Sequence, residues 1–157
     1  MPQVMIRPAQ EEDIAILAEL NRVLFREDSG QRDPWVDQSW PDQHGTKHFA
    51  ELVAGEKGVC LLAELGDEVV GYLAGYTWGP SDWRPVRMAE LESMFILEQF
   101  RGQQVGSVLV EGFLAWCRKR DVQRVSVTAY ATNEGALAFY RSLGFVPKNL
   151  TLEIEIS

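Results

Sequence analysis

Two stretches of this chain bring together residue types that could hold and process an extended, phosphorylated ligand. The first is Phe100-Arg101-Gly102-Gln103-Gln104-Val105-Gly106-Ser107, a glycine-containing turn between a strong strand pattern and a strong helix pattern. Backbone N–H groups at the start of a helix have no partner within it and converge with its positive dipole end, which makes a cradle for pyrophosphate. Gly102 and Gly106 would let a ligand approach the chain closely, although a strand-to-helix turn also needs small residues for steric reasons alone. The stretch is neither a P-loop, which ends in Gly-Lys-Ser/Thr, nor the dinucleotide pattern Gly-x-Gly-x-x-Gly. The second stretch runs from Asn133 to Phe145, where Asn133 and Tyr140 stand seven positions apart and so share one face of a helix. Taken singly, Asn133 is also a natural helix cap and Tyr140 an ordinary half-buried aromatic. Two carboxylates, Glu90 and Glu92, share a strand face just before the turn and could accept a proton.

The elements that must position these groups follow from periodicity. Val4 to Pro8 reads as a strand, and Gln10 to Asp28 carries Ile14, Leu17, Leu20, Val23 and Leu24 at helical spacing. Ser29 to Gly45 is irregular, and Thr46 to Val53 reads as a short helix. Val59 to Ala63 and Val69 to Tyr76 flank Gly66-Asp67 as a hairpin, and Met88 to Leu97 is a third consecutive strand. Gln103 to Arg120 is an amphipathic helix with Arg118, Lys119 and Arg120 in its last turn, where positive charge suits the dipole. A strand over Arg124 to Tyr130, a helix over Asn133 to Leu143 and the alternating row Leu150, Leu152, Ile154, Ile156 complete the order. Antiparallel strands followed by strand, helix, strand, helix, strand predict an α/β (α+β) fold: a mixed, mostly antiparallel central sheet with helices on both faces.

With 157 residues, 46% of them hydrophobic, the chain suits one domain over 1–157. It shows neither a basic-then-apolar leader nor a run long enough to cross a bilayer, so a cytoplasmic protein without a membrane partner is expected. Cys60 and Cys117 lie on apolar patterns and read as small core residues in a reducing compartment. A net charge of −8 disfavours nucleic acid, whose recognition needs clustered Lys and Arg, and leaves cationic partners favoured. His44 and His48 are spaced i, i+4, but no third ligand accompanies them, so no metal is expected and both read as surface histidines.

Together the two stretches resemble the GNAT N-acetyltransferase superfamily. Its pyrophosphate motif, Gln/Arg-x-x-Gly-x-Gly/Ala, is matched at its first and last positions by Arg101 and Gly106, and its Asn-x-x-Ala-x-x-Phe-Tyr-x-x-x-Gly-Phe by Asn133 to Phe145 throughout. The opening Ile6-Arg7-Pro8-Ala9 and the hairpin through Val70-Gly71-Tyr72 are similar to the same template. The resemblance implies acetyl-CoA as co-substrate and a primary amine as acceptor. It implies that the backbone of Met94, Phe95 and Ile96 lines the pantetheine arm and the tetrahedral oxyanion, and that Arg101, Gly102, Gln103, Gln104, Val105, Gly106 and Ser107 hold the pyrophosphate. Asn133 would hydrogen-bond the arm, Tyr140 would protonate the leaving thiolate, and Glu92, or Glu90 in its place, would take the proton of an ammonium whose solution pKa is about 10.4. Gln104 stands where the family motif has its first glycine, which a backbone cradle tolerates provided the local dihedrals suit a side chain.

The resemblance also assigns acceptor choice to the early helices and later loops. There Glu27, Asp28, Asp33, Asp37 and Asp42 interleave with Trp35 and Trp40, followed by Trp78, Asp82 and Trp83. Acid with aromatic suits an ammonium group, so a small cationic amine is expected, with a solvated acidic loop as the plainer account of the same residues. A protein acetyltransferase and a non-catalytic acyl-CoA-binding module are the alternatives. The apolar row at Leu150 to Ile156 also suits an edge strand that pairs with a second copy in a homodimer.

Overall fold

The computed structural model describes residues 3–157. Five strands form one sheet in the order β1 (Val4–Pro8), β2 (Gly58–Leu65), β3 (Glu68–Trp78), β4 (Met88–Ile96) and β5 (Arg124–Val127). The first three pairings are antiparallel and β4 with β5 is parallel, as expected for consecutive strands joined by hairpins and then by a helical crossover. Side chains alternate between the faces. In β2, Leu61 and Ala63 enter one apolar cluster while Cys60 and Leu62 enter the other.

Helix α4 (Val105–Arg118) covers the first face, inserting Val105, Leu109, Val110, Phe113 and Cys117, an i, i+4 stripe, against Leu61, Leu73 and Leu91. It lies so close to β3 that a Cβ on Gly75 would stand 2.5 Å from the Phe113 ring, so only glycine fits there. Helices α1 (Ile14–Leu24) and α3 (Thr46–Ala54) cover the opposite face, packing Leu17, Leu20 and Phe49 on Leu62, Tyr72 and Phe95. Both cysteines are buried and free.

The irregular segment is partly helical. A π turn at Phe25–Ser29 and the short helix α2 (Gly30–Arg32) extend α1, and a second π turn at Pro41–Gly45 leads into α3. Two predicted elements at the C-terminal end differ. The strand expected over Arg124 to Tyr130 stops at Val127, and the row Leu150 to Ile156 belongs to no strand of the sheet. Helix α5 (Glu134–Ser142) follows the motif closely, yet none of its residues is buried. No helix is long and apolar enough to cross a membrane among the described residues.

Candidate active site

Strand β4 is the axis of the site. Its pairing with β3 slips by one residue: Ser93 opposes Ala74 and Leu91 opposes Gly75, which leaves Glu92 as the extra residue of a β-bulge. A bulge re-aims side chains, and here it turns both Glu92 and Ser93 to the face covered by α1 and α3. The Glu92 carboxylate lies 2.8 Å from His48 Nε2 on α3. Ser93 Oγ accepts from the buried Tyr72 hydroxyl at 2.9 Å, which in turn accepts from Asn21 Nδ2 at 3.0 Å. That chain of hydrogen bonds, behind the carboxylate, fixes the bulge.

His48 is therefore no surface histidine, as its spacing to His44 suggested. Its ring stands edge-on to Trp40 at 5.4 Å and is about half-buried, and the hydrogen bond to Glu92 raises its pKa against the opposing effect of burial. Glu90 occupies the same face and accepts a short hydrogen bond from Ser126 Oγ on β5. Burial raises the Glu90 pKa, the Ser126 bond lowers it, and the charge of Glu92 raises it further. Beside these groups an open pocket of ≈ 570 Å³ is lined by His48, Glu51, Glu56, Lys57, Tyr76 and Thr77 among others.

The opposite edge of β4 is left open. β5 pairs with it only from Met88 to Leu91, so beyond Leu91 the two parallel strands have separated. Leu97 N–H donates to Val70 O on β3, and strand alternation then turns the amides of Ile96 and Met94 to the open edge and that of Phe95 toward β3. Ile96 O accepts from Arg101 Nε at 2.8 Å, which agrees with that assignment. Arg101 also packs over the Phe95 ring at 5.2 Å and pairs with Glu27 at 2.9 Å.

At the turn, Gly102 has φ +76 with open space around its Cα, so its conformation demands glycine and packing does not. Gln104 caps α4 with φ 67 and ψ 13, the left-handed conformation that glycine favours. The expectation that the dihedrals here would suit a side chain is not met. Val108 is the first residue of α4 to donate to a backbone carbonyl, that of Gln104, so the N–H groups of Val105, Gly106 and Ser107 are free of intrahelical partners. They complete a ring of amides suited to a pyrophosphate with Gly102 and Gln103. Gly106 serves the packing: a Cβ there would lie 3.0 Å from the Phe139 ring and 3.2 Å from Ile96 Cδ1.

Across the opening stands α5. Asn133 Oδ1 accepts from Ala136 N–H at 3.1 Å, capping the helix, while its Nδ2 donates to Asp28 at 3.2 Å. Tyr140 lies between the rings of Phe139 and Phe145, and burial, reinforced by the charge of Asp28, pushes its pKa up to about 12. The arm after α1 thus reaches both sides of the gap, through Glu27 to Arg101 and through Asp28 and Arg32 to Asn133 and Thr132. Spacing along the chain carries no trace of that bridge, because its partners lie 74 to 105 residues apart.

The acidic and aromatic residues of the early loops are largely engaged with one another and with arginines. Asp42 pairs with Arg22 and Asp28 with Arg32, and Trp40 stacks on Phe25 at 5.7 Å. Trp35 and Trp83 remain 80% and 87% exposed.

Known proteins resemble this chain in sequence or in fold. An uncharacterized N-acetyltransferase of Archaeoglobus fulgidus is 30% identical over 60% of this chain, which spans 65% of that protein's length. A mutant of the BH1408 protein from Bacillus halodurans superposes with a TM-score of 0.88 at 21% identity, covering 98% of this chain and 99% of that one. The aminoglycoside N-acetyltransferase AAC(6')-Iy in complex with CoA does so with a TM-score of 0.75 at 14% identity, covering 99% and 96%. The model of the acetyltransferase (GNAT) family matches residues 17–145, the whole stretch from α1 to the end of the Asn133 to Phe145 motif, and the chain belongs to that family.

Proposed function

We propose that residues 1–157 work as one N-acetyltransferase domain that moves the acetyl group of acetyl-CoA to a primary amine of a small cationic molecule, by direct attack with both substrates bound. The observation that carries this reading is the division of labour across the gap between β4 and β5. The carboxylate–imidazole pair Glu92–His48 lies on the α1/α3 face. Tyr140 and the amide-ringed turn lie on the α4/α5 side. A donor held by the turn and an acceptor held beside His48 would meet through the opening in the sheet.

In that arrangement Glu92, supported by His48, takes the proton from the bound ammonium. The free amine nitrogen forms a bond to the thioester carbonyl carbon, and the amides of Met94 and Ile96 on the open edge stabilise the oxygen that gains negative charge. As the C–S bond breaks, Tyr140 gives its proton to the departing sulfur, and the second proton of the attacking nitrogen, lost as the neutral amide forms, restores the phenol of Tyr140. A phenol held protonated up to about 12 is suited to donating at neutral pH. Burial pushes the thiols of Cys60 and Cys117 up to about 12 and 11, so neither is a ready nucleophile and the direct route is favoured over an acetyl-cysteine.

Glu51 and Glu56 in the pocket beside His48 favour a cationic acceptor, and the likeness to an aminoglycoside N-acetyltransferase makes amino-sugars the first compounds to try. A net charge of −8 and two buried, reduced cysteines favour action in the cytoplasm on cations and not on nucleic acid. The test is thiol release from acetyl-CoA across a panel of amino-sugars, polyamines, amino-acid amides and lysine peptides. Turnover with the small cations that falls in Glu92→Gln and Tyr140→Phe is the expected result. Turnover only with peptides, or none with any amine despite acetyl-CoA binding, refutes the reading.

A further inference from the structure

Helix α5 carries Tyr140 but cannot place it unaided. The helix has nine residues with Gly135 in its first turn, and a helix that short is marginal without tertiary support. Phe139, Tyr140, Leu143 and Phe145, from its second half onward, pack against the α4 cluster, whereas Glu134 and Gly135 at its start are exposed. The two rings that flank Tyr140 belong to α5 itself and to the turn after it, so they move with the helix and fix the phenol only as firmly as the helix is fixed. On the other side β5 ends at Val127, and the chain reaches α5 through the irregular residues 128–132.

The start of α5 is held instead by a closed set of hydrogen bonds to the arm that follows α1. Asp28 Oδ1 accepts from Asn133 Nδ2 at 3.2 Å and from Arg32 Nε at 2.6 Å, and Arg32 Nη1 donates to Thr132 Oγ1 at 3.2 Å. Thr132 and Asn133 are neighbours in sequence, so the four side chains close a ring between the charged pair Asp28–Arg32 and the helix cap. Asn133 uses both ends of its amide here: Oδ1 caps α5 through Ala136 N–H, and Nδ2 meets Asp28. Hydrogen bonds to an ionised partner are stronger than neutral ones, and a network held at two points fixes direction as well as distance. A carboxylate that served only to attract a cation would need no bond to a helix cap 105 residues away.

We propose that Asp28 is a positioning residue for the acetyl transfer: through this ring it holds the cap of α5, and with it the place of Tyr140 beside the gap between β4 and β5. The inference rests on the role given to Tyr140 above. Asp28 acts on the phenol in two separable ways. Its oxygen fixes the geometry of the cap, and its charge reinforces burial in keeping the phenol protonated. Burial is the larger cause of that protonation, so the charge can be lost while the phenol remains a donor, whereas a displaced general acid loses rate steeply. The neighbouring Glu27 pairs with Arg101 of the donor turn, so a single arm steadies both elements that flank the donor.

A double-mutant cycle on the full chain tests this, with an amine that gives turnover in the panel above. Asp28→Ala should lower kcat by on the order of 10-fold alone and add little to the loss in Tyr140→Phe, because its effect passes through the phenol. Asp28→Asn, whose amide oxygen still accepts from Asn133 and Arg32, should recover most of that rate although the charge is gone. Equal losses from Asp28→Ala in the two backgrounds, or Asp28→Asn as slow as Asp28→Ala, overturns the proposal. An unchanged kcat in Tyr140→Phe refutes the role of Tyr140 instead, and hydrogen exchange then decides the clamp without turnover. The amides of Leu137 to Leu143 should exchange faster in Asp28→Ala than in wild type or Asp28→Asn, and equal rates in all three would mean that the ring does not hold α5.

Discussion

Replacing Gln104 with glycine should stabilise the protein, although it removes a side chain from the loop that defines the family. Gln104 holds φ 67 and ψ 13, the left-handed region, where an L side chain is disfavoured by roughly 1–2 kcal/mol. Its side chain is exposed and makes no hydrogen bond among the described residues, so little is lost with it. Against the gain stands the greater freedom of glycine in the unfolded chain, about 0.5–1 kcal/mol. The balance favours Gln104→Gly by up to about 1 kcal/mol, which for a chain of this size is a rise of roughly 2–4 °C in Tm. Gly102 provides the mirror experiment. Its φ is +76 and nothing lies within 4 Å of a built Cβ, so Gly102→Ala tests the backbone with no steric term and, by the same balance with its sign reversed, should destabilise by up to about 1 kcal/mol. Thermal unfolding with and without acetyl-CoA reads both, and the cradle of amides predicts that Gln104→Gly binds CoA at least as tightly as wild type. A lowered Tm in Gln104→Gly, or an unchanged one in Gly102→Ala, would refute the account of strain at this turn.

Tyr140→Phe should lower kcat by on the order of 10²-fold or more with little change in the KM for acetyl-CoA, since only the proton is removed; an unchanged kcat removes Tyr140 from the chemistry. Gly106→Ala should destabilise by about 1–3 kcal/mol in urea unfolding, because its Cβ would press on Phe139 and Ile96; a neutral result would show that α4 and α5 can part freely. His48 gains a partner on folding and its pKa is raised from 6.5, so its contribution to stability is complete below pH 6.5 and is lost as pH climbs through the raised value. Wild type should therefore exceed His48→Gln in stability most in acid and converge with it in alkali, and the opposite trend would break the Glu92–His48 assignment. The same pair should place a rising limb above pH 6.5 in kcat/KM that His48→Gln displaces.

The sequence reading succeeded where a signal is local. Asn133 and Tyr140 are fixed relative to one another by one helix, and the stripe from Val105 to Cys117 needs only helical period to be seen. The hairpin from Val59 to Tyr76 and the strand from Met88 to Leu97 are likewise local patterns, and each lies in a strand of the sheet. His48 escaped because its meaning lies in a contact 44 residues away, created by the bulge at Glu92 and by the way α3 crosses β4. No spacing rule encodes that meeting. Glu27 and Asp28 were noticed as charge near an acceptor, and they turned out to be a bridge across the gap, because a π turn carries them past the end of α1.

The alternating row at Leu150 to Ile156 presents a different kind of failure. Period-2 hydrophobicity predicts a strand with one buried face, yet Leu150, Leu152, Ile154 and Ile156 lie exposed and outside the sheet, because the period carries no information about which edge such a strand would meet. Within one chain that choice is settled by connection length and by what else is free to pair. Here β5 is short and has a free edge, and the chain does not bring the row to it. What the period leaves undetermined at this end is which edge, if any, receives the row.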